Sequence, residues 1–221
     1  MREYAASQGG RGRKESAGTS RRNRDGGDLS PGVIAQEKSL RAPEQLGTVS
    51  FPTSCAPAVQ AEFERAVALL HSFWFQASID AFAVVAQKDS ACAIAHWGTA
   101  VNLWGNPFTC PPSANALSDG RAAVERARVA GARTQRERDY IAAVEAFYKD
   151  ADKVDHRTRA LAYAKAMEQS TTGYPDDREA AVFYALALDA TARASDKTYA
   201  NQLKAARCLD RNAARNLRLS P

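Results

Sequence analysis

A short run of apolar residues near position 63 recurs 34 positions later with side chains of matching size. Shifted by that interval, large residues fall on large ones and alanine falls on alanine: Phe63 on Trp97, Ala66 on Ala100, Val67 on Val101, Leu69 on Leu103 and Leu70 on Trp104. A fixed period of this length is typical of repeat proteins, whose units bury their apolar faces only against neighbouring units. The recurrence therefore predicts stacked helical units with both tryptophans at repeated core positions.

Apolar residues at helical spacing continue from about Pro57 to Leu209. Alanine is abundant, glycine is limited to 13 residues and runs of β-branched residues are few, which favours helix over strand. Short connections leave consecutive helices adjacent and antiparallel. The sequence thus predicts an all-α solenoid of about four antiparallel helix hairpins, or eight helices, in a repeat domain spanning residues 46–209.

Several local signals predict where helices begin and end. The motif TQRE at residues 134–137 is predicted to form a capping box, and Gly131 is predicted to end the preceding helix. Asp176 is a candidate N-cap for a later helix. Prolines 107, 111 and 112 forbid helix and predict an irregular insertion after Trp104.

The 34-residue match, the hairpin lengths and the YPDD junction at residues 174–177 resemble tetratricopeptide repeats. The stretch from FPTSC to LWGNPF, residues 51–108, is similar more narrowly to a group of largely uncharacterised bacterial tetratricopeptide proteins. The resemblance covers about residues 46–206. It implies a right-handed superhelix whose inner surface binds peptides or proteins, and it implies no known reaction. Ser90 departs from the pattern, since the repeat usually has proline there.

The two ends of the chain also depart from this resemblance. Proteins of this group begin with an export signal just before FPTSC and continue into further helix pairs, so the comparison suggests a truncated or frame-altered chain. Residues 210–221 are predicted to be a disordered tail. An uncapped last repeat would leave its apolar face exposed, which predicts self-association through the C-terminal end.

Residues 1–45 are rich in Gly, Ser and Arg and are predicted to be disordered, because they cannot bury enough apolar surface to order themselves. The net charge of +5 arises from this part, since residues 1–24 hold seven basic and two acidic side chains. We therefore expect no nucleic-acid binding by the repeat domain, and any such binding would belong to the arginine-rich head. The lack of an apolar signal segment predicts a cytoplasmic protein, or a periplasmic or exported one if the true start carries a signal peptide.

Cysteines and histidines are the residues most suited to chemistry. No spacing suggests a zinc site, so the cysteines are predicted mainly as reduced, buried thiols. Cys55 and Cys92 each precede a helix start, and a bridge between them is the alternative in an oxidising compartment. A metal site shared by His71 and His96 is a further alternative, although no motif supplies a third ligand. The prediction includes no catalytic residue, metal or cofactor.

The sequence therefore predicts a non-enzymatic scaffold that binds a protein or peptide along its inner surface. The predicted groove positions are Gln60, Trp97, Val101 and Trp104. Aromatic residues at repeat spacing are more often core than binding residues, and Trp104 is the one that best fits an exposed groove. Two alternatives remain open: a metal- or cofactor-dependent enzyme using the His/Cys/Trp cluster, and a nucleic-acid adaptor acting through the arginine-rich N-terminus.

Overall fold

The computed structural model describes residues 46–109 and 111–219, with side chains described as far as residue 215. Within these ranges it contains eight α-helices and no strand, which confirms the all-α prediction and the predicted number of helices. A 3-10 turn, Pro57–Val59, precedes the first helix. The helices are α1 (Gln60–His71), α2 (Phe75–Lys88), α3 (Ala93–Trp104), α4 (Ala114–Ala130), α5 (Gln135–Tyr148), α6 (His156–Gly173), α7 (Arg178–Ala190) and α8 (Ala200–Leu219). The predicted disordered segment at residues 1–45 lies outside the described residues.

Consecutive helices pack against each other as four pairs, α1 with α2, α3 with α4, α5 with α6 and α7 with α8. Neighbouring pairs are joined in two ways: the second helix of one pair packs on the first helix of the next, and α3 packs on both α1 and α5. Each pair thus covers its apolar side with its neighbours, and the arrangement is compatible with a helical repeat fold.

The helix ends follow the local signals with two corrections. Thr134 accepts a hydrogen bond from the backbone N–H of Glu137, and Gly131 ends α4 with a positive φ of 74°. The Glu137 carboxylate does not return to the Thr134 backbone, because it is engaged with another segment of the chain. The N-cap of α7 is Asp177 rather than Asp176, and it accepts hydrogen bonds from the backbone N–H groups of residues 179 and 180.

Two glycines allow helices to approach more closely than a side chain would permit. A Cβ atom on Gly98 of α3 would lie 2.3 Å from the ring of Phe82 on α2. A Cβ atom on Gly120 of α4 would lie 2.2 Å from the ring of Tyr148, whose hydroxyl donates a hydrogen bond to the Ala100 carbonyl at 2.7 Å. These contacts fix the spacing of the second repeat against its neighbours.

The last helix, α8, continues to Leu219, so the predicted end of the domain at Leu209 is too early. Its buried side holds Ala205 and Cys208, while Leu203 and Leu209 are exposed. Alanine, arginine and leucine in this stretch are good helix formers, and they extend the helix although large apolar residues become scarce. Self-association through this end stays a prediction. None of the helices described here is long and apolar enough to cross a membrane.

Candidate functional site

Residues 46–56, which we call the inner segment, contain no helix or strand, and they contact α1, α3 and α5, the first helices of three pairs. We call the side of α1, α3, α5 and α7 that faces the inner segment the inner face. The ring of Phe51 is fully buried and lies 5.2 Å from that of Phe63 on α1, 5.4 Å from that of Trp97 on α3 and 5.1 Å from that of Tyr140 on α5. One side chain therefore joins three successive helix pairs.

Side chains of α1 bind the backbone of the inner segment. The N–H of Phe51 donates to Glu64 Oε1 at 3.2 Å, and the carbonyl of Phe51 accepts from Gln60 Nε2 at 2.8 Å. Gln60 Oε1 also accepts from the Thr53 hydroxyl at 2.7 Å. Glutamine and glutamate thus satisfy a segment that has no secondary-structure partners of its own.

Side chains of α5 bind the same segment from the other side. Glu137, which is buried, accepts from the N–H of Ser54 at 2.6 Å and from its hydroxyl at 2.5 Å. Arg136 donates to the carbonyl of Pro52 at 2.9 Å and to Asp177 Oδ2 at 2.6 Å. These charge-assisted hydrogen bonds link the inner segment to α5 and, through Asp177, to the start of α7.

A disulfide between Cys55 and Cys92 ties the end of the inner segment to the start of α3. The prediction of mainly reduced thiols is wrong for this pair, and the bridged alternative is the one the structure adopts; Cys208 is a free, buried thiol. Asp89 lies beside the bridge and accepts a hydrogen bond from the Ala56 N–H at 2.7 Å. The two cysteines and Asp89 form the sole cluster of three or more metal-ligating side chains among the described residues. Bridged sulfurs are not the thiolates that metals require.

An open cavity of about 510 Å³ lies beyond the inner segment on the inner face. Its walls are the last turns of α1 and α3 together with the residues that follow each of them, α7, one side chain of α6 and the start of the inner segment. We call it the inner cavity. Its lining is Gly47, Thr48, Val49, Ala68, Leu70, His71, Ser72, Phe73, Phe75, Val101, Trp104, Gly105, Pro107, Tyr163, Glu179, Val182, Phe183, Leu186 and Ala187.

The polar part of this mostly apolar lining is centred on a histidine–glutamate pair. His71 Nε2 lies 2.6 Å from Glu179 Oε2, and the side chain of Glu179 is only 8% exposed. The His71 ring also packs against that of Phe183, with centroids 5.3 Å apart. The lining contains no lysine and no arginine. Burial raises the pKa of Tyr163, so its phenol stays neutral at physiological pH.

Exposed aromatic side chains lie in or near the lining of the inner cavity: Phe73 is part of the lining, and Trp74 follows it in the chain. Phe73, Trp74 and Phe108, which we call the aromatic rim, are each 43% exposed or more. The rings of Phe73 and Phe108 lie 6.3 Å apart. Phe73 has a φ of 59°, the left-handed conformation that ends α1: the N–H of Trp74 donates to the Leu69 carbonyl at 3.0 Å, as in a helix C-cap.

The predicted groove residues occupy three different environments. Trp97 is fully buried among aromatic rings, at the core position that the 34-residue recurrence predicts, so its side chain is not open to a partner here. The side-chain amide of Gln60 binds the inner segment, so this amide is not available to a partner. Val101 and Trp104 line the inner cavity. Trp104 is nevertheless only 6% exposed, because it stacks on Phe147 with ring centroids 3.8 Å apart.

The residues of the His/Cys/Trp cluster are used for packing and bridging. The cysteines at 55 and 92 are bonded to each other, Trp97 is core, and His71 is paired with Glu179. Burial, and next the charge of Arg126, lower the pKa of His96. Among the described side chains, no histidine belongs to a group of three potential metal ligands.

Sequence reasoning missed two features of the site. It noted His71 but not its partner Glu179, which is 108 positions away. It did not recognise that the FPTSC stretch occupies the inner face. That stretch has a single large apolar residue, Phe51, among polar ones, so it shows no helical periodicity. No motif near it in sequence indicates which helices it contacts.

No protein-family model matches the chain, and neither curated proteins nor solved structures give a match. Function is therefore inferred from the chemistry of the inner face.

Proposed function

We propose that this chain is a non-enzymatic, tetratricopeptide-like helical scaffold that binds a segment of a protein partner in the inner cavity. The observation that carries the proposal is that the inner face already holds an extended segment of its own chain. Side chains of α1 and α5 bind both N–H and C=O groups of that segment. An extended partner peptide offers the same backbone groups.

The position and size of the inner cavity support the same proposal. Residues 47–49 form part of its wall, so a peptide in the cavity would lie next to the inner segment. Cavities of about 300–1,000 Å³ are typical of sites that enclose a ligand. A volume of about 510 Å³ fits one or two side chains of a peptide.

The aromatic rim supports a protein partner in particular. Aromatic side chains, Phe and Trp among them, are enriched at protein interfaces relative to the rest of the surface. Phe73, Trp74 and Phe108 would cover the part of the partner that stays outside the cavity. Each helix pair supplies surface of this kind without supplying a reactive group.

The proposal is tested by selecting short random peptides, displayed on phage, against the immobilised full-length chain. Enriched peptides are then titrated against three proteins: the wild type, Leu186→Trp, which places a large side chain in the cavity, and Val129→Trp. Val129 is 80% exposed and is not part of the lining, so it is the matched control. We expect Leu186→Trp to weaken binding by about tenfold or more and Val129→Trp to leave it unchanged.

Two results contradict the proposal. One is that selection enriches no peptide above an unrelated immobilised protein. The other is that the enriched peptides bind Leu186→Trp as tightly as the wild type, which would place their site elsewhere.

The nucleic-acid alternative depends on residues 1–24, which lie outside the described residues. It predicts RNA or DNA binding that weakens steeply with salt and disappears when residues 1–45 are deleted. Binding that survives this deletion would contradict it.

A further inference from the structure

We infer that the inner cavity is selective for a positively charged side chain, and that the partner peptide inserts a lysine flanked by apolar residues. This inference rests on the proposed function. The lysine ammonium group would lie at Glu179 and its alkyl stem against the aromatic wall. Three observations support this inference. They are the charge of the lining, the burial and unused acceptor positions of Glu179, and the aromatic residues of the wall.

The charges of the lining exclude anions and admit cations. Its acidic side chain is Glu179, its basic side chain is His71, and it contains no lysine or arginine. A bound carboxylate or phosphate would therefore lie beside the Glu179 carboxylate with no lysine or arginine to offset it, whereas an ammonium group would meet a carboxylate.

Glu179 has capacity for a second hydrogen-bond donor. A carboxylate has two oxygens and about four acceptor positions. Glu179 Oε2 is engaged with His71, and Oε1 accepts no hydrogen bond from any residue that the structure describes. The side chain is 8% exposed, so its charge is poorly screened by water. A buried carboxylate with an unused oxygen in a cavity wall is suited to bind an ammonium group, which has three donors and no acceptor.

The aromatic wall complements the same ligand. Phe73, Phe75, Trp104, Tyr163 and Phe183 all line the inner cavity, and the Trp104 and Tyr163 rings are nearly perpendicular with centroids 5.0 Å apart. Aromatic faces carry negative partial charge, so they attract cations and repel anions. The methylene stem of lysine packs on such surfaces while its ammonium group reaches a polar partner.

The test uses the full-length chain and three capped tripeptides with phenylalanine on both sides of a central residue. The central residue is lysine, norleucine or glutamate, so that size is kept while charge changes. Affinities are measured by isothermal titration at neutral pH. We expect the lysine peptide to bind about tenfold or more tighter than the norleucine peptide, and the glutamate peptide to bind weakest.

Glu179→Gln removes the charge and keeps an acceptor of the same size. We expect it to reduce the preference for lysine over norleucine to about threefold or less. Glu168→Gln is the control, because Glu168 is half-exposed, pairs with Lys204 and does not line the cavity. Far-UV circular dichroism checks that both variants are folded; the comparison of peptides on the wild type needs no variant.

Three results would overturn the inference: no binding of the lysine peptide, equal binding of the lysine and norleucine peptides, or a full lysine preference retained by folded Glu179→Gln. Equal binding that Leu186→Trp abolishes would leave the proposed function in place and reject only the charge selectivity. Loss of the Leu186→Trp effect on selected peptides would reject the proposed function instead.

Discussion

Trp97 and Trp104 lie two turns apart on the same helix but in two different halves of the inner face. The half around Trp97 is closed, because Phe51 of the inner segment fills it and leaves the indole without solvent contact. The half around Trp104 keeps an open cavity of about 510 Å³. Two tryptophans of one helix therefore have different surroundings: one is part of the closed core and the other lines an open cavity.

One half is closed and the other open because only part of the inner segment is bound to the helices. Phe51 to Cys55 are held by α1, α5 and the disulfide, whereas residues 47 and 48 are exposed at the border of the cavity and only Val49 of that stretch packs on the core. The closed half gains stability from buried apolar surface without any partner. The open half leaves aromatic surface uncovered, and that surface is stabilised only when a ligand binds.

Removing the ring that closes the first half has the largest expected effect. Phe51→Ala deletes a fully buried side chain from the contact between three repeats, so we expect the free energy of unfolding to fall by about 3–5 kcal/mol. Phe108→Ala, at a 46% exposed position of the rim, is the control and should cost about 1 kcal/mol or less. Urea denaturation measures both, and equal losses would show that Phe51 is not part of the core.

Reducing the disulfide is the next largest change. The Cys55–Cys92 bridge closes a loop of 37 positions, so we expect its reduction to lower the free energy of unfolding by about 2–4 kcal/mol. The double variant Cys55→Ala and Cys92→Ala is the control, because a thiol reductant should then have no effect. A stability of the wild type that is the same with and without reductant would contradict the bridge.

Gly98 tests the close packing next to the closed half. Gly98→Ala would place a Cβ atom 2.3 Å from the Phe82 ring, so we expect a loss of about 1–3 kcal/mol despite the better helix propensity of alanine. Gly173→Ala is the matched change, since nothing lies within 4 Å of the added atom. Thermal unfolding of the two variants compares them, and a stabilised Gly98→Ala would mean that α2 and α3 are farther apart.

The smallest change in stability is expected in the open half. Leu186→Trp adds a large side chain where the inner cavity has room, so we expect the free energy of unfolding to change by about 1 kcal/mol or less. A loss comparable to that of Phe51→Ala, measured in the same urea titration, would show that the cavity is closed in solution.

Local patterns predicted much of the fold. The 34-residue recurrence around Trp97, the cap at Thr134 and the stop at Gly131 all depend on residues that are near each other in sequence. The features that define the site depend on distant pairs: Ser54 with Glu137 is separated by 83 positions and His71 with Glu179 by 108. A single sequence does not encode such pairs in any spacing, so the filling of one half by Phe51 and the pairing of His71 with Glu179 came only from the structure.

Amide hydrogen exchange of the inner segment tests the central claim most directly. The backbone N–H groups of Phe51 and Ser54 donate to Glu64 and Glu137, whereas the chain around residues 47 and 48 is exposed. We predict that the amides of Phe51 and Ser54 exchange about a thousandfold more slowly than those of Gly47 and Thr48, because exchange requires the segment to leave the inner face. Equally fast exchange at all four amides would show that the segment does not close this half of the molecule.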